Sequence, residues 1–146
     1  MITIMTQMER EAKAALNPAI PRSIKLLGGL PPMVKAQNFQ LSAVADSPPF
    51  LRIDCTDMNL AYILVDPFLV ANEYAPEFSD ADLNEIGIKD EEVPLILSIV
   101  NFSRGLENVT MNLIGPLLIN PRTANGKQVV LLNAPKFSSR HRLVSH

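Results

Sequence analysis

Residues 60–67 read LAYILVDP, and this stretch decides the fold class. In Leu60–Val65 the apolar side chains occupy both alternating sets of positions, which predicts a central strand of a sheet rather than an edge strand. The pair Asp66-Pro67 ends the strand, because Pro cannot donate a ladder hydrogen bond and Asp favours turns. The stretch Leu95–Phe102 has the same pattern and predicts a second central strand.

Further short strands, separated by turn residues, fill most of the chain between these two and around them. We predict six more, at Ile24–Leu27, Phe39–Ala43, Phe50–Cys55, Val109–Leu113, Leu117–Ile119 and Gln128–Leu132. Gly115-Pro116 predicts a bulge or bend, and Asn125-Gly126 predicts a turn before the last strand. Because the strands do not alternate with helices, a parallel α/β fold is disfavoured. The pattern predicts a small barrel or a sandwich.

One helix is marked by signals at both of its ends. Ser79 is placed to cap it, and Asp82 stands at its third helical position. Leu83 and Ile86 are spaced so that both face inward, and Gly87 stands where a left-handed C-terminal cap belongs. We therefore predict one short helix between the two central strands.

The chain length of 146 residues predicts a single domain. The first residues differ from the rest, since Thr6–Leu16 predicts a short helix that Pro18 and Pro21 end. An isolated helix of this length is only marginally stable in water. We predict that residues 1–20 form a flexible N-terminal extension and that residues 21–146 form the domain.

The residue constellations that enzymes need are missing from the sequence. The one cysteine, Cys55, lies near Asp54 and Asp57, whose charges disfavour a reactive thiolate. The two histidines, His141 and His146, stand in the C-terminal tail without a cysteine partner. Neither a Gly-x-Ser-x-Gly elbow nor a phosphate-binding glycine loop occurs. We predict that the protein is not an enzyme and holds no metal and no cofactor.

Composition also predicts the compartment. A single cysteine cannot close an internal disulfide, which disfavours an oxidised secreted protein. The apolar runs are far shorter than the roughly 20 residues of a membrane helix. The N-terminus lacks the basic start of a signal peptide. We expect a cytoplasmic protein with no membrane segment.

Charge is unevenly distributed along the chain, although the formal net charge is only −2. The segment 66–92 holds nine acids against Lys89, a local charge of −8, whereas the segment 104–146 holds six bases against Glu107, a local charge of +5. Such a separation can steer a charged partner, although a solvated acidic face is the simpler interpretation. The candidate partner-binding acids are Asp80, Asp82, Glu85, Asp90, Glu91 and Glu92.

The basic C-terminal part raises an alternative function, because small barrels often bind single-stranded nucleic acid directly. Such sites combine a basic groove with stacking aromatic side chains. Only Phe102 and Phe137 fall in or beside this part of the chain, and tryptophan is absent. We therefore rank direct nucleic-acid binding second.

Several segments, taken in order, resemble the flagellar assembly factor FliW family. The strand that ends in Asp66-Pro67 is followed by Glu73-Tyr74, by the acidic helix that ends at Gly87, and by an apolar strand at Val93–Val100. The stretch TMNLIGPLLIN at Thr110–Asn120 is similar to the family's Thr-Val-Asn-Leu-x-x-Pro-x-x-x-Asn. Two further segments that fit are Gly126–Leu131 and Arg140–Leu143. The resemblance covers residues 24–143.

This resemblance implies a mainly β protein: a small single-domain antiparallel β-barrel-like fold with one short helix. It also implies a cytoplasmic regulator without enzymatic activity that binds two alternative partners. One is flagellin before export, and the other is the carbon storage regulator CsrA, an RNA-binding repressor of flagellin translation. While flagellin is abundant it occupies the factor; after export the factor captures the repressor and translation resumes.

The residues suggest how each partner is bound. An RNA-binding repressor presents cationic surface, so we expect it to meet the acids at residues 80–92. Flagellin should meet apolar surface, and the half-exposed strand that contains Val109 and Met111 is one candidate. We expect a monomer when neither partner is bound.

Overall fold

A computed structural model describes residues 20–30, 38–45, 47, 49–56 and 58–143. The predicted helix Thr6–Leu16, and all of the predicted extension except Ile20, lie outside these residues.

The described residues form nine strands and one α-helix. The strands are β1 Ser23–Leu26, β2 Asn38–Ala43, β3 Leu51–Cys55, β4 Ala61–Val65, β5 Leu95–Asn101, β6 Thr110–Met111, β7 Leu117–Ile119, β8 Asn125–Gln128 and β9 His141–Arg142. The helix α1 spans Asp80–Glu85, and short 3₁₀ helices lie at Pro67–Leu69, Leu106–Asn108 and Ala134–Lys136.

Seven of these strands close into a barrel. Their order is β4-β3-β2-β1-β8-β7-β5, and pairing of β4 with β5 completes the ring. The short strands β6 and β9 continue the sheet outward from β5. Neighbouring strands are antiparallel except β1 and β8, which pair in parallel at Lys25↔Asn125 and Leu26↔Gly126. The predicted mainly β barrel with one short helix is confirmed, with one parallel pair that the sequence did not predict.

The barrel carries apolar cores on both sides of its wall. Its interior holds side chains from six of the seven strands, all but β8, among them Leu26, Phe39, Ile53, Leu64, Leu97 and Ile119. Outside β4, β5 and β7 the chain that follows β4 and the chain that follows β8 form a second layer, which buries Val65, Tyr74, Ile86, Val100, Leu118 and Val129. The outer layer explains why β4 and β5 are apolar at both alternating sets of positions, as predicted.

The prediction for the end of the barrel was wrong. Asn125-Gly126 begins β8 instead of forming a turn, and residues 129–132 are not a strand. The turn lies at residues 121–123, closed by a 2.8 Å hydrogen bond from Ala124 N–H to the Asn120 carbonyl. Ala124 takes the left-handed conformation (φ 63°). An Asn-Gly turn would have placed that conformation at Asn125 and Gly126 instead.

Glycine at position 126 serves close packing. A Cβ placed there would lie 2.8 Å from the Leu118 carbonyl oxygen and 2.9 Å from Leu26 Cδ2, closer than side chains tolerate. This is the point where β8 pairs with both β1 and β7. A residue without a side chain therefore lets β8 approach both β1 and β7 closely at this point.

The predicted strand Val109–Leu113 is shorter than expected. Only Thr110–Met111 is strand, although the alternation of buried and half-buried residues runs as predicted. Val109, Met111 and Leu113 all belong to the outer core, and β9 pairs with β6 along its edge. The bend predicted at Gly115 is present at residues 113–115.

Replacing the close-packing glycine should destabilise the barrel. We expect Gly126→Ala to lower the free energy of unfolding by about 1–3 kcal/mol, because backbone atoms of β7 cannot move away from the added methyl group. Urea unfolding measures the change. Gly28→Ala is the control for added bulk, since no atom of the described residues lies within 4 Å of its Cβ position; its φ of +81° adds conformational strain. An unchanged midpoint for Gly126→Ala would show that the β7–β8 contact relaxes freely.

Candidate partner-binding surface

The acidic surface consists of α1 and the turn Lys89–Glu92. The helix begins as predicted: Ser79 Oγ accepts a 3.1 Å hydrogen bond from the Asp82 N–H. It ends at the Gly87 cap (φ 77°), where Gly87 N–H bonds to the Asn84 carbonyl and Ile88 N–H bonds to the Leu83 carbonyl. These two bonds are those of a Schellman motif. The predicted capping of this helix is confirmed at both ends.

The same helix is attached to the barrel by its apolar face. Ile86 is fully buried against Leu118 of β7 and Val129, and Leu83 packs beside them. Both inward-facing residues were predicted correctly. The carboxylates are therefore carried on the opposite, outer side of a helix only six residues long.

Lys127 of β8 binds two acids of the helix. Its Nζ lies 2.8 Å from Asp82 Oδ1 and 2.5 Å from Glu85 Oε2. The hydrogen bond from Lys127 lowers the pKa of Asp82, and the two carboxylates raise the pKa of Lys127. Both acids are thus bound by one cation from the basic half of the sequence, which offsets one of their two charges.

Arg122 binds the turn in the same way. Its Nε lies 2.9 Å from Glu92 Oε2, and its Nη2 donates to Glu92 Oε1 at 3.1 Å and to the Gly87 carbonyl at 2.8 Å. Glu92 also accepts a 2.8 Å bond from the Lys89 N–H. The Arg122 hydrogen bonds, followed by that from Lys89, lower the pKa of Glu92 to about 2.

A buried amide side chain holds the two regions together. Asn120 is fully buried after β7, and its Nδ2 donates to the Ile86 carbonyl at 2.9 Å. Its Oδ1 accepts from the Arg122 N–H, also at 2.9 Å. Asn120 therefore joins the end of the acidic helix to the turn that carries Arg122.

The remaining acids are free of ion pairs within the described part of the chain. Asp80 lies at the start of α1, and Asp90 and Glu91 lie at the tip of the turn; all three are exposed. No cation among the described residues lies within 4 Å of their carboxylates. Glu91 adopts φ 71°, a conformation that costs a non-glycine residue about 1 kcal/mol.

The predicted separation of charge is therefore only partly right. Two cations of the basic segment bind three of the six candidate acids. The basic segment therefore packs against the acidic segment and is not separated from it. Counted together with these two cations, segment 66–92 carries −6 instead of −8. An acidic excess remains, and within the acidic surface the carboxylates without an ion pair to a described residue are Asp80, Asp90 and Glu91.

The predicted apolar contact surface at β6 is wrong. Val109 and Met111 are 7% and 0% exposed, because side chains of the outer layer, among them Tyr74 and Leu131, pack in the same cluster. Their side chains belong to the core and offer no surface to a partner.

Two further properties of the described residues bear on function. They contain no group of three or more His, Cys, Asp or Glu side chains that could hold a metal ion. None of their helices is long and apolar enough to cross a membrane.

Cys55 is buried within the barrel, as its small size and position in β3 predict.

A closed seven-stranded barrel, with an outer layer that displays free carboxylates, defines a small β-barrel protein with an acidic surface region. The sequence profile described as "FliW protein" matches residues 6–143. The chain belongs to the FliW family.

Similar proteins span nearly the same length. The flagellar assembly factor FliW of Moorella thermoacetica is 32% identical over 117 residues, which cover 79% of this chain and 73% of that protein. The factor of the same name from Desulfitobacterium hafniense is 26% identical over 140 residues, 95% of this chain and 91% of that protein. A crystal structure of the flagellar assembly factor FliW superimposes with a TM-score of 0.76 at 26% identity, covering 85% of this chain and 86% of that one.

Removing the buried amide should loosen the acidic surface. We expect Asn120→Ala to lower the free energy of unfolding by roughly 2 kcal/mol, because the Ile86 carbonyl and the Arg122 N–H lose their partner in a dry environment. Chemical denaturation measures this loss. Asn72→Ala, at an exposed position, is the control and should change stability little. Equal stability of the two variants would contradict the assigned role of Asn120.

The ion pair of Glu92 should make stability depend on acid pH. Its pKa in the folded protein, about 2, lies below the ordinary 4.5, so the ionised form stabilises the fold. That contribution is complete above about pH 4.5 and is lost as the pH falls toward 2. We expect Glu92→Gln to be less stable than the parent at pH 7 and to approach it near pH 2. Glu91→Gln, which breaks no ion pair, should match the parent at both pH values; a constant deficit for Glu92→Gln would argue against the pair.

Proposed function

We propose that the protein is a cytoplasmic flagellar assembly factor that binds flagellin and, alternatively, the RNA-binding regulator CsrA, and so relieves repression of flagellin translation. The observation that carries this proposal is the set of free carboxylates at Asp80, Asp90 and Glu91, mounted on a helix and turn that the barrel holds in place. Membership of a family whose curated members are named flagellar assembly factors supports it.

The free carboxylates suit a partner that binds RNA. Such a partner presents cations to phosphates, and an acidic surface docked near them adds a negative potential. Exposed charges act over about one Debye length, roughly 10 Å at 0.1 M salt. The factor therefore lowers RNA affinity when it docks beside the RNA site, even without covering it.

Flagellin requires a different kind of contact, because its terminal segments bury apolar side chains when they order. The exposed apolar side chains that border the acidic surface are Val93, Val130 and Leu132, at 71%, 71% and 64% exposure. Val93 follows Glu92 directly, and the Leu132 N–H bonds to the Glu77 carbonyl just before α1. A partner seated on these residues would lie against the acidic surface, which supports alternative binding of the two partners.

Neutralising the free acids should weaken repressor binding. We expect the triple variant Asp80→Asn, Asp90→Asn and Glu91→Gln to bind CsrA about tenfold or more weakly, since each exposed charge contributes up to about 1 kcal/mol. Calorimetric titration at two salt concentrations measures affinity, and the variant should also show a smaller salt dependence.

A charge-matched control separates a local effect from net charge. Asp54→Asn, Glu73→Gln and Glu107→Gln remove three solvent-accessible acids elsewhere and should leave CsrA binding nearly unchanged. Flagellin binding should survive in both variants, because its contact is apolar. If the two triple variants bind CsrA equally, the acidic surface is not the docking site. Salt-dependent binding of single-stranded RNA by the protein alone would favour the alternative function, direct nucleic-acid binding.

A further inference from the structure

A groove of about 730 Å³ lies between residues 70–74 and residues 136–141, and none of its lining residues belongs to the acidic surface. Tyr74 lines it and is held in place by two contacts. Its hydroxyl donates to the Leu113 carbonyl at 2.7 Å, and its ring packs edge-to-face with Phe137 at 4.9 Å between the ring centroids. Burial raises the pKa of Tyr74, so the hydroxyl keeps its proton at neutral pH. Val70, Tyr74 and Phe137 give the groove an apolar part, beside polar lining residues that include Asn72, Lys136 and Ser138.

One side of the groove adjoins an open sheet edge. Among the described residues, strand β9 is the last strand of the sheet and pairs with β6 alone, through Met111↔His141 and Thr110↔Arg142. The Leu143 N–H also points to β6, where it donates to the Val109 carbonyl at 3.1 Å. Because alternate residues of an antiparallel strand face the same neighbour, the main-chain groups of Arg142 face away from β6. His141 lines the groove, so the free edge and the groove are continuous.

Unpaired cations surround this edge. Arg122 and Lys127 are used by the acidic surface, but Lys136, Arg140 and Arg142 make no ion pair with any described carboxylate. The Arg142 guanidinium is oriented by Asn108 Oδ1. Glu73 lies on the opposite wall of the groove. An anionic ligand is therefore drawn to the β9 side.

We propose that this groove and the free edge of β9 bind an extended segment of another protein in which apolar side chains alternate with acidic ones. Such a segment adds to β9 as a further strand, and its main chain bonds to Arg142. Since side chains alternate along a strand, one set enters the groove beside Tyr74 and Phe137, while the other set faces Arg140 and Arg142, which do not line it. This site does not depend on what the acidic surface binds.

Two other occupants fit the observations less well. A second copy of this chain would bring its own β9 cations against these, and like charges at an edge oppose such pairing. A nucleic acid needs free aromatic faces for stacking, but Tyr74 is enclosed by Phe68 at 5.4 Å and Phe137 at 4.9 Å. A nucleic acid also has no peptide main chain to satisfy an open strand edge.

The test uses the full chain and three fluorescein-labelled octapeptides. One alternates four apolar residues with four glutamates, the second replaces the glutamates by lysines, and the third replaces the apolar residues by serines. Fluorescence anisotropy should show the apolar–glutamate peptide binding at least tenfold more tightly than either of the others. Equal binding of the lysine peptide would overturn the proposal.

Variants locate the site. Lys136→Glu combined with Arg142→Glu should weaken the apolar–glutamate peptide at least tenfold, whereas Arg22→Glu with Lys25→Glu, an equal charge change at exposed positions on and beside β1, should not. Thermal melting checks that each variant folds. Equal losses in both double variants would overturn the proposal. So would an octauridylate that binds more tightly than the peptide and displaces it, or self-association that blocks the peptide in light scattering.

Discussion

The buried side chain of Asn120 is the interaction on which the geometry of the acidic surface depends. It lies where β7 ends, and its two hydrogen bonds of 2.9 Å reach the Ile86 carbonyl and the Arg122 N–H. A buried amide left without such partners costs about 1–3 kcal/mol for each unmade bond, so this arrangement strongly disfavours any displacement of α1. The helix, too short to be stable alone, is thereby specified by the barrel beneath it.

Strand β5 contributes side chains to both apolar cores. It pairs with β4 on one edge and with β7 and β6 on the other, so it closes the ring and also starts the outward extension. Leu97 faces the interior, while Val100 faces the outer layer. Because both faces of β5 are buried, one polar side chain is left without a partner. Ser98 is fully buried, and its hydroxyl makes no hydrogen bond within the described part of the chain. Placing a polar residue there reduces the stability gained from the two cores.

Local signals predicted local structure well. The Ser79 cap, the Gly87 stop and the double-sided pattern of β4 each depend on residues a few positions apart, and each is present. Signals that depend on distant partners were misread. Asn125-Gly126 has the composition of a turn, yet packing against Leu118 explains its glycine. The alternation around Met111 identified one apolar face, but could not show that outer-layer side chains from distant parts of the chain, among them Tyr74 and Leu131, bury it.

The candidate site shows the same division. Composition located the acids correctly, since α1 and the following turn do carry an exposed acidic group. It could not show which acids were already bound, because Asp82 and Lys127 are 45 residues apart in sequence. The missed residues were Asn120, Arg122 and Lys127, two of which had been counted only as part of a basic half. One general expectation could have identified Asn120. A buried Asn after an apolar strand needs hydrogen-bond partners, and here these are backbone groups of both regions.

The acids therefore divide into two sets with different physical roles. Asp82, Glu85 and Glu92 hold the helix and turn against the barrel, and Asp80, Asp90 and Glu91 are left to face solvent. Isolated surface ion pairs contribute little to stability, but here they act beside a buried amide bridge and an apolar helix face, so they refine a position that burial already determines. The backbone that carries the free carboxylates is already fixed, so binding a partner there orders few additional groups. A small charged surface then gains affinity without more contacts. The strained backbone of Glu91 at the tip fits this account, since the surrounding turn holds an unfavourable conformation that presents two adjacent carboxylates outward.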